Sequence, residues 1–503
     1  MSIESMRVTP LRRTTEGMIR GTVVDGVAVF RGIPYAQPPV GRWRFAAPQH
    51  PLPWTGVRPA VRFGPPSPQP TLPGSPPVPT EGLEDPDQWL TLNIWTPDPE
   101  AGGLPVMVWI HGGANQIGWS GLPLYDGSLL AGHGVVVVTV NYRLGFEGFA
   151  RIADAIDNRG LLDQAAALAW IQRNIASFGG DPDNVTVFGQ SSGGGSVLAL
   201  MTMPAARGLF TRAIAQSPSA YPFGPELADA VCARIAETAG VEPTTNALAR
   251  LTPRQLVEVT QVVQGAPPAD WWGSARHFSW LLLFGPVVDG VVLPRAPRAA
   301  LADGVGREID LLIGHTRDEW RIFGALPTAP PVTPELTEQV LRDLWPGDPE
   351  QYRAAFPDAD HRELHELVLG DRLFRMPTVH LAQAHSAAGG RTHLYELRYD
   401  RTPVGAAHSA DLPLVFGSFA AAGSIHRDPP EAGAVALAAD IRASWTAFAR
   451  TGNPGWPVYR EHDQQVRLYD NDGAHTGTYP ETRSQSLWQR HALGAPLPLG
   501  ENG

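Results

Sequence analysis

The 503-residue sequence predicts an α/β protein with a central, mostly parallel, twisted sheet flanked by helices. Two short, unbroken apolar runs, at 105–110 and 134–143, are typical of central strands that are covered on both faces. Between the second run and a β-favouring stretch at 184–188 lies an amphipathic helical pattern. This strand–helix–strand order indicates a right-handed crossover and therefore a largely parallel sheet.

The remaining elements follow from the same periodicities. An alternating pattern predicts a strand at 26–36, and apolar runs predict later strands at 309–314 and 393–399. The crossover helix ends where Gly179 and Gly180 interrupt its apolar spacing. Further helical patterns occupy three long segments: 226–263, 334–355 and 432–451.

Composition limits the possible partners and location. Apolar residues make up 43% of the chain, enough to bury a large core. The net charge of −11, with no basic run, argues against a nucleic-acid partner. No segment approaches the ~18 apolar residues of a membrane helix, and the N-terminal residues lack the apolar core of a signal peptide. The single cysteine, Cys232, forms no intrachain disulfide and fits a small core residue. We therefore expect a cytoplasmic protein without a membrane contact.

No repeat or clear linker divides the chain, so we expect one domain over residues 1–503. One segment, 64–80, is too rich in proline for a helix or a central strand. It has two interpretations, a flexible linker or an ordered loop at the entrance of a site.

The segment NVTVFGQSSGGGSV, Asn184 to Val197, predicts a nucleophile. A strand that runs into Gly-x-Ser-x-Gly and leaves as a helix is the context of a nucleophile elbow, in which a tight turn exposes the serine. Only Ser191 has a glycine two residues before it and two residues after it. Its neighbour Ser192 would contribute a backbone N–H at the positive end of the helix dipole.

A second glycine-rich turn supplies the donors that a developing alkoxide needs. His111 is followed by Gly112, Gly113 and Ala114, directly after a buried strand and ahead of the elbow in the chain. This is the position of the HGGG-type oxyanion loop, in which glycines let backbone N–H groups turn toward the reacting oxygen. An ordinary glycine turn is the alternative.

Several blocks in a fixed order make the resemblance specific. The chain resembles a type B carboxylesterase of the α/β-hydrolase superfamily, the group that includes para-nitrobenzyl esterases and the cholinesterases. The similarity covers nearly the whole sequence. The blocks that carry it are FRGIPYAQPPVGRWRFAAP, LTLNIWTP, NYRLGFEGF, GLLDQAAALAWIQRNIASFGGDPDNVTVFGQSSGG, GPVVDGVVLP, GHTRDEW, HSADLPLVFG and WTAFARTGNPGWP.

The resemblance implies the rest of a catalytic triad. The family's acid lies in a G-x-x-x-D-E-G block, here IGHTRDEW, which gives Glu319. Its histidine lies in an H-x-x-E/D-L-P-x-V-F-G block, here HSADLPLVFG, which gives His408. With Ser191 first, the chain order is the serine, acid, histidine order of this fold. Ser217 matches a family serine that supports the acid and the histidine by hydrogen bonding.

Three positions next to the predicted triad residues depart from the family pattern. Gln190 replaces the usual glutamate before the nucleophile, which removes a negative charge and weakens any case for cationic choline esters. Ser192 replaces the usual alanine, and Trp320 replaces the glycine after the acid, where an indole would line the cavity.

The sequence therefore predicts an α/β-hydrolase fold with helical insertions that roof the site. The reaction expected is hydrolysis of uncharged carboxylic esters, including bulky or tertiary alcohol esters, through an acyl-enzyme. The oxyanion donors would be Gly113, Ala114 and Ser192, with Gly112, Gln190 and Ser217 in support. We expect no metal and no organic cofactor, a small-molecule ester as partner, and a monomer or homodimer. A carbamate or amide hydrolase with the same triad, and a non-catalytic scaffold or adhesion relative, are the alternatives.

Overall fold

A mixed sheet forms the centre of the fold. The computed structural model describes residues 9–71, 85–266, 270–327, 329–491 and 493–500. In this part of the chain the strands are β1 (Leu11–Arg13), β2 (Met18–Arg20), β3 (Thr22–Val24), β4 (Val27–Pro34), β5 (Val57–Pro59), β6 (Thr91–Thr96), β7 (Leu104–Ile110), β8 (Val136–Val140), β9 (Gly180–Gln190), β10 (Arg212–Gln216), β11 (Asp310–Thr316), β12 (Thr392–Leu397), β13 (Gln465–Asp470) and β14 (Gly473–Thr478).

Eleven described strands form the main sheet in the order β14-β13-β12-β11-β10-β9-β7-β8-β6-β4-β3. Neighbours from β13 to β8 are parallel, whereas β14, β6, β4 and β3 pair antiparallel at the two ends. Strands β1, β2 and β5 form a separate small sheet. The mostly parallel sheet predicted from the apolar runs is confirmed.

Helices cover both faces of the main sheet. They are α1 (Ser128–Ala131), α2 (Gly145–Phe149), α3 (Arg159–Asn174), α4 (Ser192–Thr202), α5 (Pro225–Ala239), α6 (Thr245–Leu248), α7 (Pro253–Gly265), α8 (Pro297–Ala302), α9 (Arg321–Gly324), α10 (Pro334–Leu344), α11 (Pro349–Ala355), α12 (His361–Gly370), α13 (Met376–Ala387), α14 (Leu412–Phe416), α15 (Ala432–Thr451) and α16 (Thr482–Trp488).

Strand β7 shows why two helical layers are needed. Its side chains alternate between two apolar clusters, with Val106 and Val108 in one and Met107 and Trp109 in the other. All four are fully buried. Because successive side chains of a strand point to opposite faces, an unbroken apolar run requires cover on both sides.

The long helical patterns are more divided than the sequence predicts. The segment 226–263 forms three helices, because Gly240 adopts φ 69° at the end of α5 and a capping box at Thr252 begins α7. The segment 334–355 breaks before Pro349, where Asp348 caps α11. The pattern at 432–451 forms α15 with the predicted bounds.

The proline-rich segment 64–80 falls only partly within the described residues. Residues 64–71 are described, and 72–80 lie outside. The described part is bonded to the rest of the fold, since Asn141 Nδ2 donates to the Pro65 carbonyl (3.0 Å) and the Leu144 amide donates to Ser67 Oγ (3.2 Å). These contacts favour the ordered loop for residues 64–71. The extent of the loop and the single domain over 1–503 remain predictions.

Candidate active site

Ser191 lies in the turn between β9 and α4 with a strained backbone. Its φ and ψ are 59° and −127°, a combination that residues with a side chain rarely adopt. The neighbouring strand β10 holds the turn in place, because the Ser191 amide donates a hydrogen bond to the carbonyl of Gln216 at the end of that strand (2.9 Å). This strained exit from a strand is the geometry expected of a nucleophile elbow.

The glycines on either side of Ser191 are required sterically. A Cβ at Gly189 would lie 2.6 Å from the backbone of Gly193. A Cβ at Gly193 would lie 2.2 Å from the carbonyl oxygen of Ile110 at the end of β7. Strand, turn and helix therefore pass too close for any side chain at these two positions.

The glycine-rich loop after β7 lies against Ser191. A Cβ at Gly112 would be 3.0 Å from the Cβ of Ser191. Gly113 and Ala114 follow with positive φ values of 118° and 55°, so the backbone here forms neither a helix nor a strand. Within the described residues, the N–H groups of Gly113, Ala114 and Ser192 donate to no other protein group. Free backbone donors beside a serine suit a negatively charged oxygen.

Two contacts hold this loop in place. The backbone N–H of Asn115 donates to the Ser192 hydroxyl across 3.3 Å, so the elbow and the loop are joined directly. Gln69, from the proline-rich segment, exchanges two hydrogen bonds with the backbone of Gly118, at 2.9 and 2.8 Å. Sequence reasoning missed the roles of Asn115 and Gln69, because their contacts join residues that lie 77 and 49 positions apart in the chain.

Glu319 and His408 form a buried pair. Glu319 follows β11, and its Oε2 lies 2.5 Å from His408 Nδ1. Its Oε1 accepts the backbone N–H of Thr316 at 2.8 Å. The hydroxyl of Ser217 also acts on this carboxyl, although its geometry gives no well-aligned hydrogen bond.

The carboxyl of Glu319 is held in its charged form. Burial alone would raise its pKa, but the charge that His408 carries when protonated, the hydrogen bonds from His408 and the Thr316 amide, and the nearby Ser217 hydroxyl hold the pKa below its usual value. A carboxylate so placed fixes the proton of His408 on Nδ1. When the ring is neutral, Nε2 then carries the lone pair that can accept a proton.

His408 is enclosed by aromatic rings and one amide. Phe374 and Phe323 lie with ring centroids 4.4 and 5.1 Å from the imidazole. Phe374 belongs to a wide π-helical turn, Asp371–Arg375, which joins α12 to α13. On the opposite nitrogen, Gln190 Nε2 lies 3.0 Å from His408 Nε2. The two phenylalanines carried no signal in the sequence, since they lie far from His408 along the chain.

Backbone strain is concentrated around this site. Left-handed φ values occur at non-glycine positions in the glycine-rich loop, in the elbow, at the end of β10 and beside His408: Ala114, Asn115, Ser191, Ser217 and Ser409. Each such conformation costs on the order of 1–3 kcal/mol and persists only where the surroundings enforce it. The strain therefore marks the same place as the sequence motifs.

Trp320 lines a neighbouring cavity. The cavity has a volume of about 570 Å³, and Trp280 and Trp320 meet edge to face in its wall with centroids 6.3 Å apart. Trp320 also packs on Phe323, with ring centroids 5.0 Å apart, and Phe323 is one of the rings next to His408.

Two kinds of feature are absent from the described residues. No cluster of three or more His, Cys, Asp or Glu side chains could hold a metal ion, and no helix is long and apolar enough to cross a bilayer.

Comparison with known proteins identifies the family. The model of the carboxylesterase family matches residues 8–488. The para-nitrobenzyl esterase of Bacillus subtilis (strain 168) is 37% identical over 91% of this chain and 94% of its own length. The phenmedipham hydrolase of Pseudarthrobacter oxydans is 35% identical over 93% of this chain and 97% of its own length.

Solved structures agree in both fold and extent. A carboxylesterase of Geobacillus stearothermophilus superimposes with a TM-score of 0.84 at 34% identity, covering 95% of this chain and 100% of that chain. A PNB esterase superimposes with a TM-score of 0.82 at 35% identity, covering 95% and 99% of the two chains. The chain belongs to the carboxylesterase family, has its α/β-hydrolase fold, and is a carboxylic ester hydrolase.

Proposed function

We propose that the protein hydrolyses uncharged carboxylic esters through an acyl-enzyme on Ser191, with His408 as the base and Glu319 as its partner. One observation carries the proposal. The strained Ser191 adjoins Gln190, which contacts His408, and the far side of that imidazole is held 2.5 Å from a buried glutamate. A serine hydroxyl is a poor nucleophile without such a base.

In the proposed reaction, Ser191 Oγ attacks the ester carbonyl while His408 Nε2 takes the hydroxyl proton. The negative charge moves to the carbonyl oxygen, which the N–H groups of Gly113, Ala114 and Ser192 stabilise. His408 then protonates the departing alcohol, leaving an ester on Ser191. A water molecule gives its proton to His408 and attacks this ester, and the acid is released as Ser191 recovers its proton.

The uncharged residue before the nucleophile supports a neutral substrate class. Gln190 is 3% exposed and carries no charge, so the residue before the nucleophile offers nothing to a cationic alcohol. The oxyanion loop offers room instead, because Gly113 and Ala114 are half-buried and have only a hydrogen or a methyl group as side chain. We propose that esters of bulky, including tertiary, alcohols are accepted, more slowly than primary esters.

Ala114 gives a direct test of the bulky-alcohol proposal. Since Ala114 has φ 55°, Ala114→Gly removes a methyl group and relieves the backbone at the same time. Hydrolysis of tert-butyl acetate should be retained or improved in this variant. The larger Ala114→Val adds strain as well as volume, so it is the poorer probe. Rejection of all tertiary esters by an enzyme that hydrolyses primary acetates would place the limit elsewhere in the pocket.

A second substrate class is favoured by one comparison. The relative named phenmedipham hydrolase matches nearly the whole chain. Carbamate hydrolysis would use the same serine, base and oxyanion donors, and an amide would differ only in its leaving group. Turnover of phenmedipham and of an anilide, measured beside a panel of p-nitrophenyl esters of increasing chain length, separates these activities.

The test of the central proposal is covalent labelling. An organophosphate should attach to Ser191 with one equivalent per chain, located by peptide mass spectrometry. Ser191→Ala should fold but lose several orders of magnitude in turnover. Ser192→Ala is the matched control, because it removes the adjacent hydroxyl and keeps Ser191. Labelling at Ser192 or Ser196 would refute the assignment of the nucleophile.

A further inference from the structure

The nitrogen of His408 that must accept the Ser191 proton is already occupied. Gln190 Nε2 lies 3.0 Å from His408 Nε2, and both side chains are buried, at 3% exposure each. Within the described residues, Ser191 Oγ makes no hydrogen bond to His408. The structure therefore shows a resting arrangement in which the base is bound to the residue before the nucleophile.

The direction of this hydrogen bond follows from the other side of the ring. His408 Nδ1 lies 2.5 Å from the ionised Glu319, so Nδ1 carries a proton and donates it. In the neutral imidazole Nε2 then has one lone pair and no hydrogen. Gln190 must present its NH2 group to that lone pair, because its carbonyl oxygen would meet a second acceptor.

The backbone of Gln190 is fixed by the sheet. Gln190 ends β9 and pairs with Gln216 of β10 in register. Its side-chain oxygen points toward the oxyanion loop, since a Cβ at Gly112 would lie 3.3 Å from Gln190 Oε1. When His408 exchanges the Gln190 amide for another hydrogen-bond partner, the side chain of Gln190 therefore moves and its backbone stays in the sheet.

We propose that Gln190 is a positioning residue that holds His408 in its neutral form, and that the Ser191 hydroxyl must displace the Gln190 amide before proton transfer. This inference rests on the proposed function of Ser191 and His408. A protonated Nε2 has no lone pair for the amide, so the contact opposes the imidazolium. A glutamate at the same position would do the reverse, because its oxygens accept the Nε2 proton.

The two carboxyl groups near His408, on Glu319 and Asp411, do not offer the same contact. Glu319 faces Nδ1. Asp411 lies in the turn before α14, and its Oδ2 accepts hydrogen bonds from Gln216 Nε2 (2.7 Å) and from the Tyr395 hydroxyl (3.0 Å). Burial raises the pKa of Asp411 above its usual value. The ring faces are covered by Phe374 and Phe323, which do not titrate.

Asp318, the carboxylate that precedes Glu319 in the chain, is engaged elsewhere. Asp318 Oδ2 accepts a hydrogen bond from Arg317 (2.9 Å), from Arg321 (3.2 Å) and from the Ala406 amide (3.0 Å). All these groups are unchanged in variants of Gln190, so a difference between such variants reports on the amide alone.

The experiment is the pH dependence of phosphonylation. A neutral p-nitrophenyl phosphonate would be reacted with the enzyme in single-turnover mode, and release of p-nitrophenol followed from pH 5 to 9. Compared with wild type, Gln190→Met removes the donor at nearly constant volume. The acid limb of the rate profile should move to higher pH by about 0.5–1 unit, the size of one hydrogen bond. Gln190→Glu should move it further in the same direction.

Two further variants make the result decisive. Gln190→Asn is one methylene too short to reach His408 and should behave like Gln190→Met. Gln164→Met is the matched control, since Gln164 is also buried but bonds to Ser196 Oγ (3.2 Å). Its acid limb should stay at the wild-type position.

An unchanged acid limb in Gln190→Met and Gln190→Asn, with Ser191 still labelled, overturns the role of Gln190 alone. Failure to label Ser191 in the wild-type enzyme overturns the proposed function itself. A shift to lower pH in Gln190→Glu would also contradict the proposal, because it would mean that residue 190 does not meet the imidazolium.

Discussion

Replacement of Glu319 by glutamine tests the buried pair most directly. The two carboxyl oxygens face two donors, the Thr316 amide at 2.8 Å and His408 Nδ1 at 2.5 Å. A glutamine has one acceptor oxygen, so its NH2 group must meet one of these N–H groups. If it meets Nδ1, the imidazole adopts the other tautomer, with its proton on Nε2, and can no longer accept from Ser191.

The expected loss can be estimated from the lost charge. Two unit charges about 4 Å apart interact by about 4 kcal/mol at an effective dielectric of 20. Removing that stabilisation from the imidazolium lowers kcat by about 10³-fold, and the wrong tautomer extends the loss toward 10⁴-fold, as seen for the aspartate of a serine protease. The fold should survive, because the substitution is nearly isosteric.

The assay is kcat on p-nitrophenyl acetate, with circular dichroism to verify folding. Asp318→Asn is the matched control. Its carboxylate adjoins Glu319 in sequence but bonds to Arg317, Arg321 and the Ala406 amide. We expect less than a tenfold loss in kcat for this control, because asparagine keeps one acceptor oxygen at this position and none of these partners bonds to His408. If Glu319→Gln kept more than a tenth of wild-type activity, or if Asp318→Asn lost more than Glu319→Gln, the assigned acid would be wrong.

Three further predictions concern residues around and beyond the site. Ser192→Ala removes the hydroxyl that accepts the hydrogen bond of the Asn115 amide, so kcat should fall several-fold with little change in KM. The free energy of unfolding should fall by about 1 kcal/mol, and an unchanged kcat would mean that this hydrogen bond does not position the oxyanion loop. Burial raises the pKa of the Cys232 thiol to about 12, so Ellman's reagent should react slowly with the native protein at pH 8 and with one thiol after unfolding, whereas rapid native labelling would contradict the buried position. Burial and the charge of Glu481 raise the pKa of Glu396, so the native state binds its proton more tightly than the unfolded state and loses stability as pH rises above the ordinary carboxyl range. The melting temperature of Glu396→Gln should therefore exceed that of wild type by a margin that grows from pH 5 to pH 8, and a constant margin would refute the assignment.

The comparisons bear on the family and the fold of the protein and not on its location or its assembly. The family, the α/β-hydrolase fold and carboxylic ester hydrolysis are confirmed by comparison. A cytoplasmic location and a monomer or homodimer stay predictions, as do the catalytic roles of the named residues.

The sequence by itself determined the features that depend on local sterics. Ser191 could be selected because a tight elbow needs glycine at 189 and 193, and the structure shows why, with virtual Cβ atoms 2.6 and 2.2 Å from backbone atoms. The tight turn at Gly113 was predictable for the same reason, since a Cβ there would lie 2.1 Å from the Ile117 carbonyl oxygen. Glu319 and His408 came only from family resemblance, because composition offers many acids and 15 histidines.

The tertiary structure alone decided which side chains complete the site. Gln190 and His408 are 218 residues apart in sequence, and the order of the parallel strands brings them within hydrogen-bonding distance. The enclosure of His408 by Phe374 likewise depends on a π-helical turn that has no periodic signal in the sequence. Such contacts join residues from separate elements, and local patterns describe one element at a time. The hydrogen-bond partner of His408 Nε2 could therefore be seen only once the sheet was assembled.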